Sequence, residues 1–247
     1  MRLLKWEQLP ASMQTDAVRP YYDILKKKRA ALFFKRVFDV LVSFVMLVLL
    51  SPVFLILAIA IKIDSRGPVF YRQVRVTQYG KTFRIFKFRS MVQNADKLGA
   101  LVTVDHDPRI TRMGRLIRKC RLDEICQLID VFRGTMTFVG TRPEVPKYVD
   151  RYTEEMMATL LLPAGVTSEA SIYYKDEDRL LNGAADVDAV YVQDVLPGKM
   201  RFNLLAIRRF GFFRDIGVMF KTVFAVLGKE YRIPDEESDE ESDKERK

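Results

Sequence analysis

Between Val40 and Ile61 the chain runs for 22 residues without a charged side chain. About 20 apolar residues suffice for a helix to cross the hydrocarbon core of a bilayer, so any fold of this chain must place this stretch in or near a membrane. Ser51-Pro52 stands at its middle. Proline lacks the amide that would bond the Val48 carbonyl, and its ring clashes with that carbonyl, so a helix bends there. The Ser51 hydroxyl can satisfy a freed carbonyl one turn back. Both flanks are basic: Lys26, Lys27, Lys28, Arg29, Lys35 and Arg36 before, and Lys62, Arg66, Arg72 and Arg75 after. Cytoplasmic flanks are the basic ones, so both ends can lie on that side. Two forms stay open on these grounds. One is a span with a proline kink, common in membrane helices. The other is a helix bent sharply enough to enter and leave on one face. A cleaved leader is disfavoured, because some forty residues precede the apolar core.

The remainder is long enough to bury one main core with appendages. The net charge of +9 understates how basic that core is. Asp235–Lys247 holds eight acids and three bases; the rest has 38 bases and 24 acids, a net +14. Such a body favours anionic partners. Cys120 and Cys126 fit neither a zinc pattern nor a disulfide scaffold. His106 is the single histidine. One histidine excludes a histidine metal cluster, and acid-base work falls to carboxylates, lysines or tyrosines.

The fold class expected is α+β and mostly helical. Met1–Leu32 reads as a polar, irregular N-terminal extension, 33–66 as the membrane helix region, 67–232 as the catalytic domain and 233–247 as a disordered acidic tail. Val69–Val76 and Thr82–Met91, with Gln78–Lys81 as the turn, predict a small β-hairpin. Leu122, Ile125, Ile129 and Phe132 recur at helical spacing, ended by Gly134. Pro143 reads as the first position of a further helix, with Glu144 in its first turn. Phe202–Leu227, aromatic and aliphatic with interspersed cations, suits helices lying in a membrane interface or a core helix with basic edges.

Three short patterns carry little. Gly80-Lys81-Thr82 imitates the end of a phosphate-binding loop, but the required earlier glycine is Arg75. Asp105-His106-Asp107 and Asp186-Val187-Asp188 match a metal-binding triplet that acidic loops often reproduce. Asp107–Pro143 is richer. Asp123 and Glu124 open a helix, where acids complement the helix dipole. Arg115, Arg118, Lys119 and Arg121 crowd the same positions. Arginines hold phosphate oxygens bidentately, and Mg2+ needs only one or two protein carboxylates beside substrate phosphates. An ionised aspartate can also attack phosphorus. Arg142-Pro143-Glu144 marks a second anion site if a helix begins there.

With these motifs in order the chain resembles the bacterial sugar transferases, monotopic phosphoglycosyl transferases acting on polyprenyl phosphate. The resemblance covers Phe33 to Leu227. It rests on Lys35-Arg36 with Phe38-Asp39, Ser51-Pro52, Gly67-Pro68-Val69-Phe70 with Gln73, and Phe86-Lys87-Phe88-Arg89-Ser90-Met91. The series continues with Asp107–Gly114, Leu122-Asp123-Glu124 with Gln127-Leu128, Val139-Gly140 with Arg142-Pro143, and Pro163, Gly165 and Thr167. Leu196-Pro197 with Lys199, then Asp215 and Thr222, close it.

The resemblance implies a re-entrant membrane helix broken at Ser51 and Pro52. It implies that Asp123 attacks the phosphate carrying the sugar of a UDP-sugar and expels UMP, and that Glu124 assists with Mg2+, both acids serving as metal ligands. Arg118 is expected on phosphate and Arg142 with Pro143 on the nucleotide. Glu144, Lys87, Arg89, Ser90 and Arg112 are also expected to contact substrate. The acceptor is polyprenyl (undecaprenyl) phosphate, and the product starts assembly of an exopolysaccharide, capsule, O-antigen or glycoprotein glycan. The enzyme then sits in the lipid of the bacterial cytoplasmic membrane with its site on the cytoplasmic face, with a homodimer allowed and no nucleic-acid partner. Arg121, Cys126 and Thr141 depart from the family's usual serine and two prolines without removing the acids or Arg142. The alternative is a conventional membrane glycosyltransferase that releases UDP. A non-enzymatic module binding nucleic acid or anionic lipid is a third reading; its binding would fall steeply with salt.

Overall fold

A computed structural model describes residues 1–95, 107–175, 177, 186–231 and 233. His106, Asp105 and the acidic stretch from Asp235 lie outside these residues.

The apolar stretch forms two helices. α1 (Arg19–Lys27) leads into α2 (Arg29–Leu49), and α3 (Ser51–Asp64) leaves it at an angle of 60°. No single described helix is long and apolar enough to cross a membrane. The break has the cause read from the sequence. Pro52 frees the Val48 carbonyl, and Ser51 Oγ donates to that oxygen at 2.7 Å.

The burial of α2 is inverted relative to a soluble helix. Lys35, Asp39 and Ser43, one turn apart, are buried, while Phe33, Phe34, Leu41, Phe44 and Leu49 are exposed. The inner polar groups are satisfied. Lys35 Nζ donates to the Val139 carbonyl at 2.8 Å and pairs with Asp215 at 2.5 Å. Asp39 accepts from Thr137 Oγ1 at 2.7 Å and from the Phe138 amide at 3.3 Å. α3 continues the exposed apolar surface through Leu55, Ile56 and Ile59 to Ile63, which is 81% exposed.

The expected hairpin is present as antiparallel β1 (Phe70–Val76) and β2 (Thr82–Phe88). After it come α4 (Arg112–Lys119), a 3-10 helix at Leu122–Gln127 and α5 (Leu128–Arg133), which Gly134 ends at φ +88°. β3 (Met136–Val139) then pairs in parallel with β4 (Ala164–Thr167), across a crossover holding α6 (Pro146–Val149). The two strands converge where Gly140 and Gly165 meet. A Cβ on Gly165 would lie 2.2 Å from the Gly140 backbone, so only glycine lets the strands close there. α7 (Glu169–Tyr173), α8 (Val187–Val190), a π-turn at Tyr191–Val195, α9 (Leu196–Arg208) and α10 (Phe212–Val226) complete the fold.

Three expectations are corrected. The helix assigned to Pro143 starts at Pro146. Val145 precedes a proline and is therefore held extended, with ψ 150°. The N-terminal stretch is not irregular. Leu3, Leu9, Met13, Val18, Tyr21, Tyr22 and Leu25 are buried together with Leu160, Leu161, Ile207 and Phe210. Phe202–Leu227 is two helices with different surroundings. α9 buries Phe202, Asn203 and Ile207, as a core helix does, whereas α10 leaves Phe213, Phe220, Val223 and Phe224 exposed.

Candidate active site

Four elements converge on two acids. The 3-10 helix carries Asp123 and Glu124 in its first turn. Arg121 just before it takes a left-handed conformation at φ 56°, which turns the chain from α4 into the new helix. A non-glycine residue held there costs about 1–2 kcal/mol, a strain that functional sites often keep. β2 is fixed to the same region because buried Asp130 of α5 accepts the Phe86 amide at 2.8 Å, which sets the neighbouring Lys87 over Glu124. Arg142 arrives from the strand exit after β3, and its Nη1 donates to the Val166 carbonyl of β4 at 3.3 Å.

Glu124 Oε1 accepts from Lys87 Nζ at 2.9 Å and from Arg142 Nη2. Its Oε2 has no hydrogen-bond partner among the described residues. Burial alone would raise the Glu124 pKa, but Arg142 and Lys87 hold it well below the ordinary carboxylate range. Asp123 is shifted the other way. Burial raises its pKa first and the Glu124 charge second, with Lys87 and Arg118 opposing. Among the described residues no other side chain bonds its carboxylate. The two adjacent carboxylates are thus shifted in opposite directions, Glu124 toward the ionised form and Asp123 toward the neutral one.

The acids open onto a cavity of about 1090 Å³. Of the residues singled out in the sequence, Lys87, Arg89, Ser90, Arg118, Arg142, Asp123 and Glu124 line it together. Arg112, Pro143 and Glu144 do not. Arg112 is exposed at the start of α4. Pro143 and Glu144 are buried behind the wall, and no helix N-terminus offers its amides there, because α6 begins later and has four residues. Arg89 lines the cavity but is already engaged. Its guanidinium donates to the carbonyls of Ser65 at 2.7 Å and Arg66 at 3.0 Å, and to Ser65 Oγ at 2.8 Å, closing the C-terminus of α3.

Among the other residues that line the cavity, Arg75, Tyr174 and Lys199 were not taken from the sequence as substrate contacts. Arg75 entered as a flanking cation of the apolar stretch and as the residue that breaks a phosphate-loop pattern, although it lies on the strand face shared with Lys87. Lys199 was legible only as part of a closing motif. Of the two acidic triplets, Asp105 and His106 lie outside the described residues, and the described members are engaged elsewhere. Asp107 pairs with Arg109, Asp186 caps α8 through the Ala189 amide at 3.0 Å, and Asp188 binds Lys147 and Tyr148. Among the described residues no three acids, cysteines or histidines converge on one point.

Comparison with known proteins agrees with this geometry. The model of a family described as bacterial sugar transferase matches residues 30–229. The chain is 35% identical over 198 residues to the UDP-N-acetylgalactosamine-undecaprenyl-phosphate N-acetylgalactosaminephosphotransferase of Aeromonas hydrophila, covering 79% of this chain and 44% of that protein. It is 33% identical over 218 residues to the undecaprenyl-phosphate galactose phosphotransferase of Salmonella typhimurium, covering 82% and 42%. With the exopolysaccharide production protein ExoY of Sinorhizobium fredii it shares 31% over 228 residues, covering 86% and 90%. The chain thus spans less than half the length of the first two and nine-tenths of the third. The matched region contains the bent helix pair, the hairpin, both acids and the cationic cavity, and with it the chain belongs to the bacterial sugar transferase family.

Proposed function

We propose that this chain moves a sugar 1-phosphate from a UDP-sugar to polyprenyl phosphate, with Asp123 as the nucleophile. The observation that carries the reading is the pair itself. Among the described residues Asp123 has a carboxylate with no side-chain hydrogen-bond partner, beside a Glu124 fixed by two cations, in a basic cavity. In the first step an Asp123 oxygen attacks the phosphorus bearing the sugar. A bond forms between carboxyl oxygen and phosphorus, the bond from phosphorus to the UMP oxygen breaks, and UMP leaves with the electron pair. In the second step an oxygen of the lipid phosphate attacks the same phosphorus and frees the carboxylate. Both nucleophiles are anions, so neither step needs a base to remove a proton. Lys87, Arg118 and Arg142 hold positive charge where the phosphate oxygens gather it.

The acids also suit a divalent ion. Among the described residues the Asp123 carboxylate and Glu124 Oε2 take no side-chain hydrogen bond, and Mg2+ typically takes one or two carboxylates with substrate phosphates completing its shell. Mg2+ bound there would neutralise charge on the donor's diphosphate.

The bent pair α2–α3 is read as a re-entrant hairpin that dips into the cytoplasmic leaflet and returns, with α10 lying in the interface. The exposed apolar surfaces of all three, the inward polar stripe of α2 and the basic flanks support this placement. The test is incubation of the full chain in lipid nanodiscs with labelled UDP-sugars and Mg2+ but no acceptor. One equivalent of UMP and a phosphosugar attached at Asp123 are expected. Release of UDP, the alternative reading, would overturn the proposal.

A further inference from the structure

The wall cations Arg75 and Lys199 are held by a buried hub. Glu144 Oε1 accepts from Tyr191 OH at 2.5 Å and lies 3.5 Å from Lys199 Nζ. Lys199 Nζ also donates to Tyr191 OH and to Glu177, each at 2.9 Å. On its other side Glu144 Oε2 is 4.0 Å from Arg75, whose Nη1 donates to the adjoining Pro143 carbonyl at 3.1 Å. Three distant elements meet there: β1 brings Arg75, the π-turn and α9 bring Tyr191 and Lys199, and Glu144 follows Arg142 by two residues. Glu144 is buried and does not line the cavity, whereas Arg75, Arg142 and Lys199 do.

We infer that Glu144 is a positioning residue, which through Tyr191 holds Lys199, and directly through its other oxygen holds Arg75, beside Arg142 as one anion-binding wall for the phosphate of the leaving nucleotide. The inference rests on the transfer reaction proposed above. Its chemistry is that of oriented cations. Ammonium and guanidinium groups fixed before the substrate arrives stabilise an anion better than mobile ones, since they need no reorganisation. Burial and the Glu144 charge both keep the Tyr191 phenol protonated, so it donates to Glu144 and accepts from Lys199 at once. Glu144 itself touches no substrate.

The sign of one substitution decides between this and a plain charge effect. Electrostatics alone requires that removing an acid beside an anion site tighten anion binding. Positioning requires the opposite. UMP binding to the full chain in nanodiscs, measured by calorimetry, is therefore expected to weaken about tenfold in Glu144→Gln, about the effect of one charged hydrogen bond. Lys199→Met should weaken it to a similar extent, and Tyr191→Phe, which keeps every charge, by about threefold to tenfold. The KM for polyprenyl phosphate should not move. UMP binding that is unchanged or tighter in Glu144→Gln overturns the inference while the transfer reaction stands. If that variant does not fold, Tyr191→Phe decides, and unchanged binding there overturns it equally. A wild-type chain that binds no UMP sinks both the inference and the reaction it rests on.

Discussion

Arg89 offers a measurement in which a substrate role and a structural role give opposite results. Its side chain reaches the end of α3, where the last carbonyls of a helix have no intrahelical partner. It satisfies those of Ser65 and Arg66 and lies 3.4 Å from that of Ile61. The approach depends on Gly67, at φ +126°, where a Cβ would fall 2.1 Å from Arg89 Nη1. In Arg89→Met the stem packing is kept and the donors are lost. Each partly buried carbonyl left without a donor costs up to about 1–3 kcal/mol, and the lost cation at a helix C-terminus adds about 0.3–1 kcal/mol. Because the carbonyls share one donor group and can partly rehydrate, about 3–4 kcal/mol in all is expected. For a chain of this size that lowers the thermal midpoint by about 6–16 °C. Arg89→Lys, which keeps the charge but not the fork, should recover only part. The assay is thermal unfolding in nanodiscs alongside steady-state kinetics below the transition. An unchanged midpoint with a raised donor KM would refute the capping role and return Arg89 to the substrate.

Asp123→Asn is expected to lower turnover by at least about 10⁴-fold, measured with both substrates saturating. Since the raised Asp123 pKa means the folded state favours its neutral form, Asp123 costs stability once pH rises above the ordinary aspartate value of about 3.9, so Asp123→Asn should raise the thermal midpoint at pH 7. Glu124 has the opposite sign. Its depressed pKa contributes stability above about pH 4.3 that is lost on acidification, so Glu124→Gln should lower the midpoint at pH 7 and have less effect at pH 3. Chelation with EDTA should abolish the UMP burst and readdition of Mg2+ restore it; a burst that persists would remove the metal from the first step. Replacing Ser51 and Pro52 together by leucine removes the cause of the bend, and single cysteines near residues 30 and 70 should then be labelled from opposite sides of sealed vesicles instead of one.

Local causes were legible in the sequence and long-range ones were not. The bend at Ser51-Pro52, the hairpin about Gln78–Lys81 and the stop at Gly134 each follow from one or two residues whose backbone chemistry admits few alternatives. The same kind of rule failed at Pro143, because two prolines three apart compete to start a helix and the residue before the second is held extended. Lys87, Arg118, Arg142 and the two acids could be named from motif order, but not their partition of labour. That Glu124 takes both strong cations and leaves Asp123 with no side-chain hydrogen bond among the described residues depends on β2 being held to α5 by Asp130. Glu144 illustrates the limit best. Its sequence neighbours Arg142 and Pro143 suggest a ligand, and only its burial against Tyr191 and Lys199 shows a carboxylate that serves other side chains.

The inward polar stripe of α2 connects the apolar helices to the reactive pair. A helix whose exposed side is apolar gains nothing from water on that side, so its orientation must be fixed by polar contacts on the other. Lys35 and Asp39 supply those contacts, and both act on β3, through the Val139 carbonyl, the Phe138 amide and the Thr137 hydroxyl. Arg142 lies three residues beyond Val139. The Gly140–Gly165 contact between β3 and β4 leaves little play in that short exit, and Arg142 is further held to Val166. The path from α2 to the cation on Glu124 thus runs through bonded backbone, with no mobile loop between. Glu124 being held as an ion is in turn the second cause of the raised Asp123 pKa. Lys35 and Asp39, which hold α2 to β3, thus act on the strand whose exit carries Arg142, the first of the cations that hold Glu124 ionised.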